Sequence, residues 1–159
     1  MNTLETDFAQ MVREHKSTIY TVCFMFSKDQ EDVDDLFQEV LINLWKGFKS
    51  FQGKSKASTW IWKVSFNTCL SLERRKKTKS AIPLSMNINP FHDTDEDTRQ
   101  IKMLYNRIHR LRPFDRAIVL LWLENLSYDE IAAIVGISVK NVSVRLYRIK
   151  EELKQMSNH

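Results

Sequence analysis

The residues best suited to chemistry lie near the end of the sequence, on one face of a predicted helix. A buried stripe at helical spacing is predicted there, made of Val142, Leu146, Ile149 and Leu153. The outward side of the same helix consists of Lys140, Asn141, Ser143, Val144, Tyr147 and Arg148. Asn, Ser and Arg can hydrogen-bond to base edges in a major groove, while Lys and Arg bind phosphates. These residue types predict binding to duplex DNA rather than a purely structural helical hairpin.

The segment that positions this helix has the pattern of a helix-turn-helix. Ser127 is a suitable N-cap residue, and Glu130 three positions later completes a capping box. Gly136 permits the left-handed turn that ends the first helix, and Ser138 can cap the second helix only two residues later. The turn is therefore short enough to present the second helix to a groove.

A second polar surface is predicted on a helix capped near Ser58 or Thr59. Apolar residues cover almost its whole circumference, and a narrow polar strip remains, made of Lys63, Asn67, Ser71 and Arg74. We expect Trp60 to lie in the core. For Trp62 the core and a partner surface stay open as alternatives, because a helix buried on two opposite faces needs a partner over one of them.

Apolar periodicity predicts helices along most of the chain. Only three glycines and three prolines are available for the turns of β-hairpins. The predicted fold class is all-α, with two small helical modules joined by a flexible linker and a helix-turn-helix at the end of the second. The module boundaries are 1–79 and 99–159, and the acidic, proline-containing linker is 80–98.

The composition is that of a soluble folded protein. Of the 159 residues, 43% are hydrophobic and 28% are charged, which excludes wholesale disorder, and the net charge of +4 favours an anionic partner. The longest apolar run, Ala117 to Leu123, is far shorter than the ~20 residues that span a membrane, and the amino terminus lacks an export signal. Cys23 and Cys69 show no CxxC spacing, so we expect buried free thiols in a cytoplasmic protein.

Two other classes of function are compatible with parts of this pattern. An autonomous repressor would use the same helix-turn-helix, usually as a dimer on a two-fold site, but it gives the aromatic helix no role. A nuclease with a metal site is suggested by the acidic cluster of Asp93, Asp95, Glu96 and Asp97. That cluster lies in a linker without a rigid element to fix ligands, so we predict no enzyme, no cofactor and no metal.

The order of an aromatic helix with a basic strip, a linker and a terminal helix-turn-helix resembles the small bacterial sigma factors of the extracytoplasmic-function type. The stretch DVDDLFQEVLINLWKGFKSFQGKSKASTWIWKVSFNTCLSLERRKK is similar to their first module. The stretch LRPFDRAIVLLWLENLSYDEIAAIVGISVKNVSVRLYRIKEEL is similar to their second. The resemblance implies a transcription initiation factor that binds core RNA polymerase, directs it to specific promoters and promotes melting of the start-proximal element.

The resemblance also implies roles for individual positions. Binding to core polymerase is implied for the polar face of the DLFQEV helix, at Asp35, Gln38, Glu39 and Asn43. Contact with minus-ten DNA is implied for the GKSKAS loop and the next helix, at Lys54, Ser55, Lys56, Trp62, Lys63, Asn67 and Arg74. The six outward residues of the last helix match positions that enter the major groove at the minus-thirty-five element.

The resemblance further implies partners and a location. They are bacterial core polymerase, promoter DNA and an anti-sigma factor, often membrane-anchored, that would hold this cytoplasmic protein at the inner membrane without inserting it. Ser143 and Val144 depart from the family, which often has a basic residue and a serine in this stretch, and Asn125 replaces a usual glycine. The resemblance therefore does not fix the promoter sequence.

Overall fold

The fold is built from α-helices. The structure is a computed structural model, and it describes residues 3–51, 53, 56–75 and 96–156. In chain order the helices are α1 (Thr3–Met25), α2 (Gln30–Phe48), α3 (Ala57–Arg75), α4 (Glu96–His109), α5 (Pro113–Leu123), α6 (Tyr128–Val135) and α7 (Val139–Gln155). These ranges contain no strand, which confirms the all-α prediction, and none of their helices has the length and apolar character needed to cross a bilayer. Lys54, Ser55 and the segment 76–95, with most of the predicted linker, lie outside the described residues.

Helix α2 begins at Gln30, because the Asp29 carboxylate accepts a hydrogen bond of 2.9 Å from the backbone N–H of Asp32 and caps the first turn. Two other helices begin slightly earlier than the sequence predicts. α3 begins at Ala57, before its predicted cap. α4 begins at Glu96, inside the predicted linker.

Helices α1, α2 and α3 pack into a first module around one apolar core. Their inner faces bury Ile19 and Val22 on α1, Val40 and Leu44 on α2, and Ile61 on α3, each with 0% of its surface exposed. Burying a side chain of this size stabilises the fold by about 1.5–3 kcal/mol. The core therefore fixes which sides of α2 and α3 face solvent.

The two cysteines are buried free thiols, as the sequence predicts. Cys23 belongs to α1 and Cys69 to α3, so the pair lies where these helices meet. A hydrogen bond with Cys23, together with burial, raises the pKa of the Cys69 thiol well above its usual value. Cys69 therefore stays protonated and packs as a small apolar side chain.

Helices α6 and α7 form the predicted helix-turn-helix, with the predicted caps, and α5 packs against both. The Ser127 hydroxyl accepts from the Glu130 amide at 3.1 Å, and the Glu130 carboxylate accepts from the Ser127 amide at 2.9 Å. Gly136 ends α6 in the left-handed conformation, with φ of 80°. The Ser138 hydroxyl accepts from the Asn141 amide at 3.1 Å and so starts α7. Local sequence alone determines this turn.

Asn125, in the turn before α6, has a φ of 65°. It stands where the resemblance leads us to expect glycine, and a left-handed backbone is the reason glycine is common at such a position. Asparagine is among the few other residues that adopt this conformation readily. The departure from the family therefore keeps the backbone path of the turn.

The two modules pack against each other, with Arg116 of α5 at the centre of the contact. Its side chain is buried, and it donates from Nη1 to the Met25 carbonyl at 2.8 Å and from Nη2 to Glu73 at 3.4 Å. Its guanidinium also lies 4.9 Å from the ring centroid of Phe26. Burial lowers the pKa of Arg116 and the charge of Glu73 opposes this shift, so the guanidinium stays charged. A cation of the second module is thus held by acceptors of the first through its two Nη atoms, while its buried Nε has no hydrogen-bond partner among the described residues.

His109, the last residue of α4, makes a further polar contact between the modules. Its Nε2 lies 2.8 Å from the carbonyl oxygen of Ser27, which follows α1. Burial and the charge of Arg116 lower the pKa of His109. The imidazole is therefore neutral at neutral pH and donates its Nε2 proton to that carbonyl.

We expect the protein to lose stability as the pH falls below the ordinary histidine value of 6.5. The pKa of His109 is lower in the folded chain than in the unfolded chain, so the unfolded chain binds the proton more readily. The contribution is complete above about pH 6.5 and is lost as the pH falls through the folded pKa. Thermal midpoints at about pH 7.5 and about pH 5.5 measure the loss. The thermal midpoint of His109→Gln, which keeps a neutral N–H donor, should fall less between these pH values than that of the wild type. Equal falls in the variant and the wild type contradict the expectation.

Candidate nucleic-acid and polymerase interfaces

The outer face of α7 is exposed at all six positions predicted to contact DNA. Tyr147 is 70% exposed and Val144 is 41% exposed, and Lys140, Asn141, Ser143 and Arg148 are exposed as well. The opposite side of the helix is buried against α5 and α6 through Val142, Leu146 and Ile149. The core thus fixes which side of α7 can enter a groove.

The polar strip of α3 is also exposed along its length. Lys63, Asn67, Ser71 and Arg74 all face solvent, whereas Ile61 behind them is fully buried. Residues one turn apart on a helix lie about 5–6 Å from each other, so the strip is a straight row of polar groups held on a packed helix. Such a row can follow the backbone of a nucleic-acid strand.

Trp62, the aromatic residue predicted to contact minus-ten DNA, is only 6% exposed in this arrangement. Its ring stacks on Phe66 with the centroids 5.6 Å apart, and Phe66 meets Phe26 edge-on at 6.2 Å. The same side of α3 carries Glu73, the partner of Arg116, and α3 packs against both α5 and α6. The second module is therefore the partner over one face that the all-round apolar character of α3 requires.

Trp60, predicted to lie in the core, is only half-buried. Its ring stacks on Phe51 with centroids 4.6 Å apart and lies 6.4 Å from the Phe48 ring. On α2, Gly47 leaves room for it, since a Cβ atom there would lie 3.3 Å from the Trp60 ring. Trp60 joins the end of α2 to the start of α3 and so fixes the ends of the intervening loop.

Of the three loop residues predicted to contact DNA, only Lys56 is described, and it is exposed. Hydrogen bonds with Ser127 lower the pKa of Glu130, and the charge of Lys56 lowers it further. Lys56 therefore lies close to the first turn of α6. For Lys54 and Ser55, which lie outside the described residues, DNA contact stays a prediction.

The predicted polymerase-binding face of α2 consists of three exposed polar residues and one that is engaged in the fold. Asp35, Gln38 and Glu39 face solvent. Asn43 is half-buried, and its amide donates a hydrogen bond of 2.9 Å to Thr68 of α3. The side chain of Asn43 thus orients α2 on α3, and its contact with polymerase stays a prediction.

Sequence reasoning missed two exposed apolar residues on α2. Ile42 is 47% exposed and lies one turn beyond Gln38 and Glu39, so it continues their face. Trp45 belongs to the apolar repeat of the helix, yet it is 41% exposed and only packs edge-on against Phe8. The sequence did contain a signal for Ile42, because it is an apolar residue at a position that helical periodicity places on the polar face of α2.

Comparison with known proteins assigns a family to each module. The family described as Sigma-70 region 2 matches residues 11–79, and the family described as Sigma-70, region 4 matches residues 101–153. An ECF RNA polymerase sigma-E factor of Haemophilus influenzae is 30% identical over 141 residues, which cover 79% of this chain and 74% of that protein. The chain belongs to the extracytoplasmic-function family of RNA polymerase sigma factors. Members of this family are transcription initiation factors that direct polymerase to promoters.

Other comparisons agree that the chain is a member of this sigma factor family. The ECF RNA polymerase sigma factor SigE of Mycolicibacterium smegmatis is 28% identical over 153 residues, which cover 91% of this chain and 59% of that protein. The sigma factor RpoE of Bartonella quintana, solved in complex with the anti-sigma factor NepR, is 21% identical, with a TM-score of 0.75 over 94% of this chain and 95% of that one. At that identity the structural likeness shows the fold alone.

Proposed function

We propose that this sigma factor joins core RNA polymerase through its first module, contacts promoter DNA with both modules and favours melting by holding unpaired bases of the minus-ten element. The proposal rests on one observation: two polar faces are exposed on helices whose other sides are buried, the strip of α3 and the outer face of α7. Both combine cations with hydrogen-bonding groups, as phosphate and base contacts require. The action is binding without enzymatic chemistry, and it takes place in the cytoplasm with polymerase and DNA.

The strip of α3 supplies the contacts that hold a melted strand. Lys63 and Arg74 bind phosphates near its two ends, and Asn67 between them hydrogen-bonds to an unpaired base. Extracting a base from the duplex costs a few kcal/mol, whereas stacking on an aromatic ring returns about 1–3 kcal/mol per base. Trp62 is the aromatic ring of this helix that the proposal assigns to stacking, although it is 6% exposed and stacks on Phe66 in the free protein.

The two DNA elements are too far apart for the packed chain. A compact protein of this length has a radius of gyration of about 15 Å, whereas roughly 25 base pairs separate the elements, which is about 85 Å of duplex at ~34 Å per turn. Both modules can therefore bind one promoter only after the contact at Arg116 has opened.

The exposed face of α2 is the surface proposed to bind polymerase. Asp35 and Glu39 supply negative charge at one end, and Ile42 supplies an apolar side chain that can be fully desolvated in a contact. Interfaces of this kind draw most of their affinity from a few buried apolar or aromatic residues surrounded by polar ones. We therefore assign Ile42 as the apolar centre of this surface.

Ile42→Ala is expected to weaken binding to core polymerase about tenfold and to leave the thermal midpoint within ~1 °C, because Ile42 is exposed in the free protein. A fluorescence titration of labelled protein with core polymerase measures the affinity. Ile101→Ala is the matched control, since Ile101 is 41% exposed but belongs to α4 of the second module. The affinity of this variant for core polymerase should be unchanged. Equal effects of the two substitutions contradict the assignment.

An anti-sigma factor is the further partner proposed for this protein. Support comes from the structurally similar RpoE, which is solved with the anti-sigma factor NepR. Such a partner would act by covering the surfaces on α2, α3 and α7, so that polymerase and DNA cannot bind. If the partner is membrane-anchored, it would hold the sigma factor at the inner membrane.

The test is run-off transcription with bacterial core polymerase on promoter fragments from the native genome, with and without this protein, beside a gel shift of the protein alone. The proposal requires specific transcripts that appear only when protein and polymerase are both present. Tight, sequence-specific binding to duplex DNA without polymerase, and no transcript with it, would instead establish an autonomous repressor.

A further inference from the structure

The outermost position on the recognition helix is occupied by an apolar residue. On α7 the direction opposite the buried Val142, Leu146 and Ile149 is occupied by Lys140, Val144 and Tyr147, at successive turns. Val144 is 41% exposed and Tyr147 is 70% exposed. A recognition helix lies in the major groove with its N-terminal residues against the base edges. Val144 lies in the second turn of α7, on the side opposite the core, and is therefore placed among the residues that meet the bases.

The chemistry of a valine side chain restricts what it can recognise there. It neither donates nor accepts a hydrogen bond, so it cannot read the donor and acceptor pattern that distinguishes most base pairs. The one apolar group that a standard base pair presents in the major groove is the C5 methyl of thymine. An isopropyl group at the centre of the face gains from burial against that methyl and gains nothing comparable from the polar edges of guanine or cytosine.

The neighbours of Val144 hold it at base-edge depth. Lys140 lies one turn before it and Arg148 one turn after it, and both are exposed cations that can bind phosphates on the two sides of the groove. Arg145, beside Val144, is directed back into its own module instead, where it pairs with Asp115 at 3.2 Å. The phosphate contacts of Lys140 and Arg148 thus fix how deeply α7 lies in the major groove. Val144, between them, then contacts the edge of the base pair below it.

We propose that Val144 is a specificity-determining residue that reads a thymine methyl group in the minus-thirty-five element. The inference rests on the proposed function of α7 and adds the base that its central residue selects.

The test uses a promoter identified by run-off transcription, in which each thymine of the minus-thirty-five element is replaced in turn by deoxyuridine. This replacement removes the C5 methyl and leaves every hydrogen bond in place. With the wild-type protein, one thymine should be sensitive, and its replacement should lower transcription roughly threefold to fivefold, the effect of one buried methyl group. Val144→Ala should lower transcription from the unmodified template by a similar factor and be insensitive to deoxyuridine at that position.

Val139→Ala is the matched control. Val139 is 42% exposed on the same helix, but it lies about 140° around the helix axis from Val144, away from the groove-facing side. This variant should keep the full sensitivity to deoxyuridine. The inference is overturned if no thymine is sensitive with the wild-type protein, or if Val144→Ala stays as sensitive as the wild type. Those results leave the proposed function intact, whereas failure to find any promoter that the wild-type protein transcribes with core polymerase would overturn both.

Discussion

Replacing Asn67 and Arg74 together by alanine is expected to lower run-off transcription about a hundredfold without weakening the binding of core polymerase. Both side chains are exposed on α3, so their loss leaves the core of the first module unchanged. The base contact of Asn67 and the phosphate contact of Arg74 are each worth on the order of 1.4 kcal/mol, and the loss of both corresponds to a factor of about one hundred. Transcript yield and polymerase affinity, measured on the same preparation, separate the two steps.

The matched control removes an amide and an arginine from another exposed helical face. Gln10 and Arg13 on α1 are exposed and hydrogen-bond to each other at 2.9 Å, and their double alanine variant should transcribe at the wild-type level. A promoter with a mismatched, already open minus-ten element tests the mechanism. If Asn67 and Arg74 stabilise the melted strand, the yield of their variant should partly recover on this template, because the cost of unpairing has been removed. A deficit that stays the same on both templates would show that the two residues contribute to duplex binding instead of melting.

The parts of the fold that sequence predicted well are those decided by neighbouring residues. The turn before α7 follows from Ser127, Glu130, Gly136 and Ser138, which lie within twelve consecutive positions and satisfy their own backbone groups. The outer face of α7 follows in the same way, because helical periodicity separates inward from outward positions. The exposed strip of α3 was predicted on the same grounds.

The parts that sequence predicted poorly depend on contacts between distant residues. Asn43 lies on the face predicted to bind polymerase, a contact that stays a prediction, and the sequence did not indicate that its amide hydrogen-bonds to Thr68, 25 positions away. Trp60 was expected in the core and Trp62 was left open, yet Trp62 is the more deeply buried, at 6% exposed, while Trp60 is partly buried beside Phe51. No local pattern predicts this difference. Arg116 showed no signal at all, since its acceptors lie 91 and 43 positions away. Tertiary packing, and not helical propensity, decides these positions.

Arg116→Ala is expected to destabilise the folded chain by about 2–4 kcal/mol and to separate the two modules. The substitution leaves the buried carbonyl of Met25 without its donor and removes the contact with the Phe26 ring. Glu73 adds less to this cost, because its side chain is 35% exposed and regains solvation by water. Urea unfolding measures the loss of stability, and small-angle scattering measures the separation as an increase above the radius of gyration of about 15 Å for a compact chain of this length.

Arg145→Ala is the control that identifies burial between the modules as the cause. Arg145 makes the same two kinds of contact, with Asp115 at 3.2 Å and with the Phe114 ring at 5.0 Å, but its side chain is 43% exposed and all its partners belong to the second module. Its loss should cost within about 1 kcal/mol and leave the radius of gyration unchanged. Equal costs for the two substitutions would mean that Arg116 does not hold the modules together. If Arg116→Ala alone expands the chain, the buried cation sets how readily α3 and α7 move apart to reach their two DNA elements.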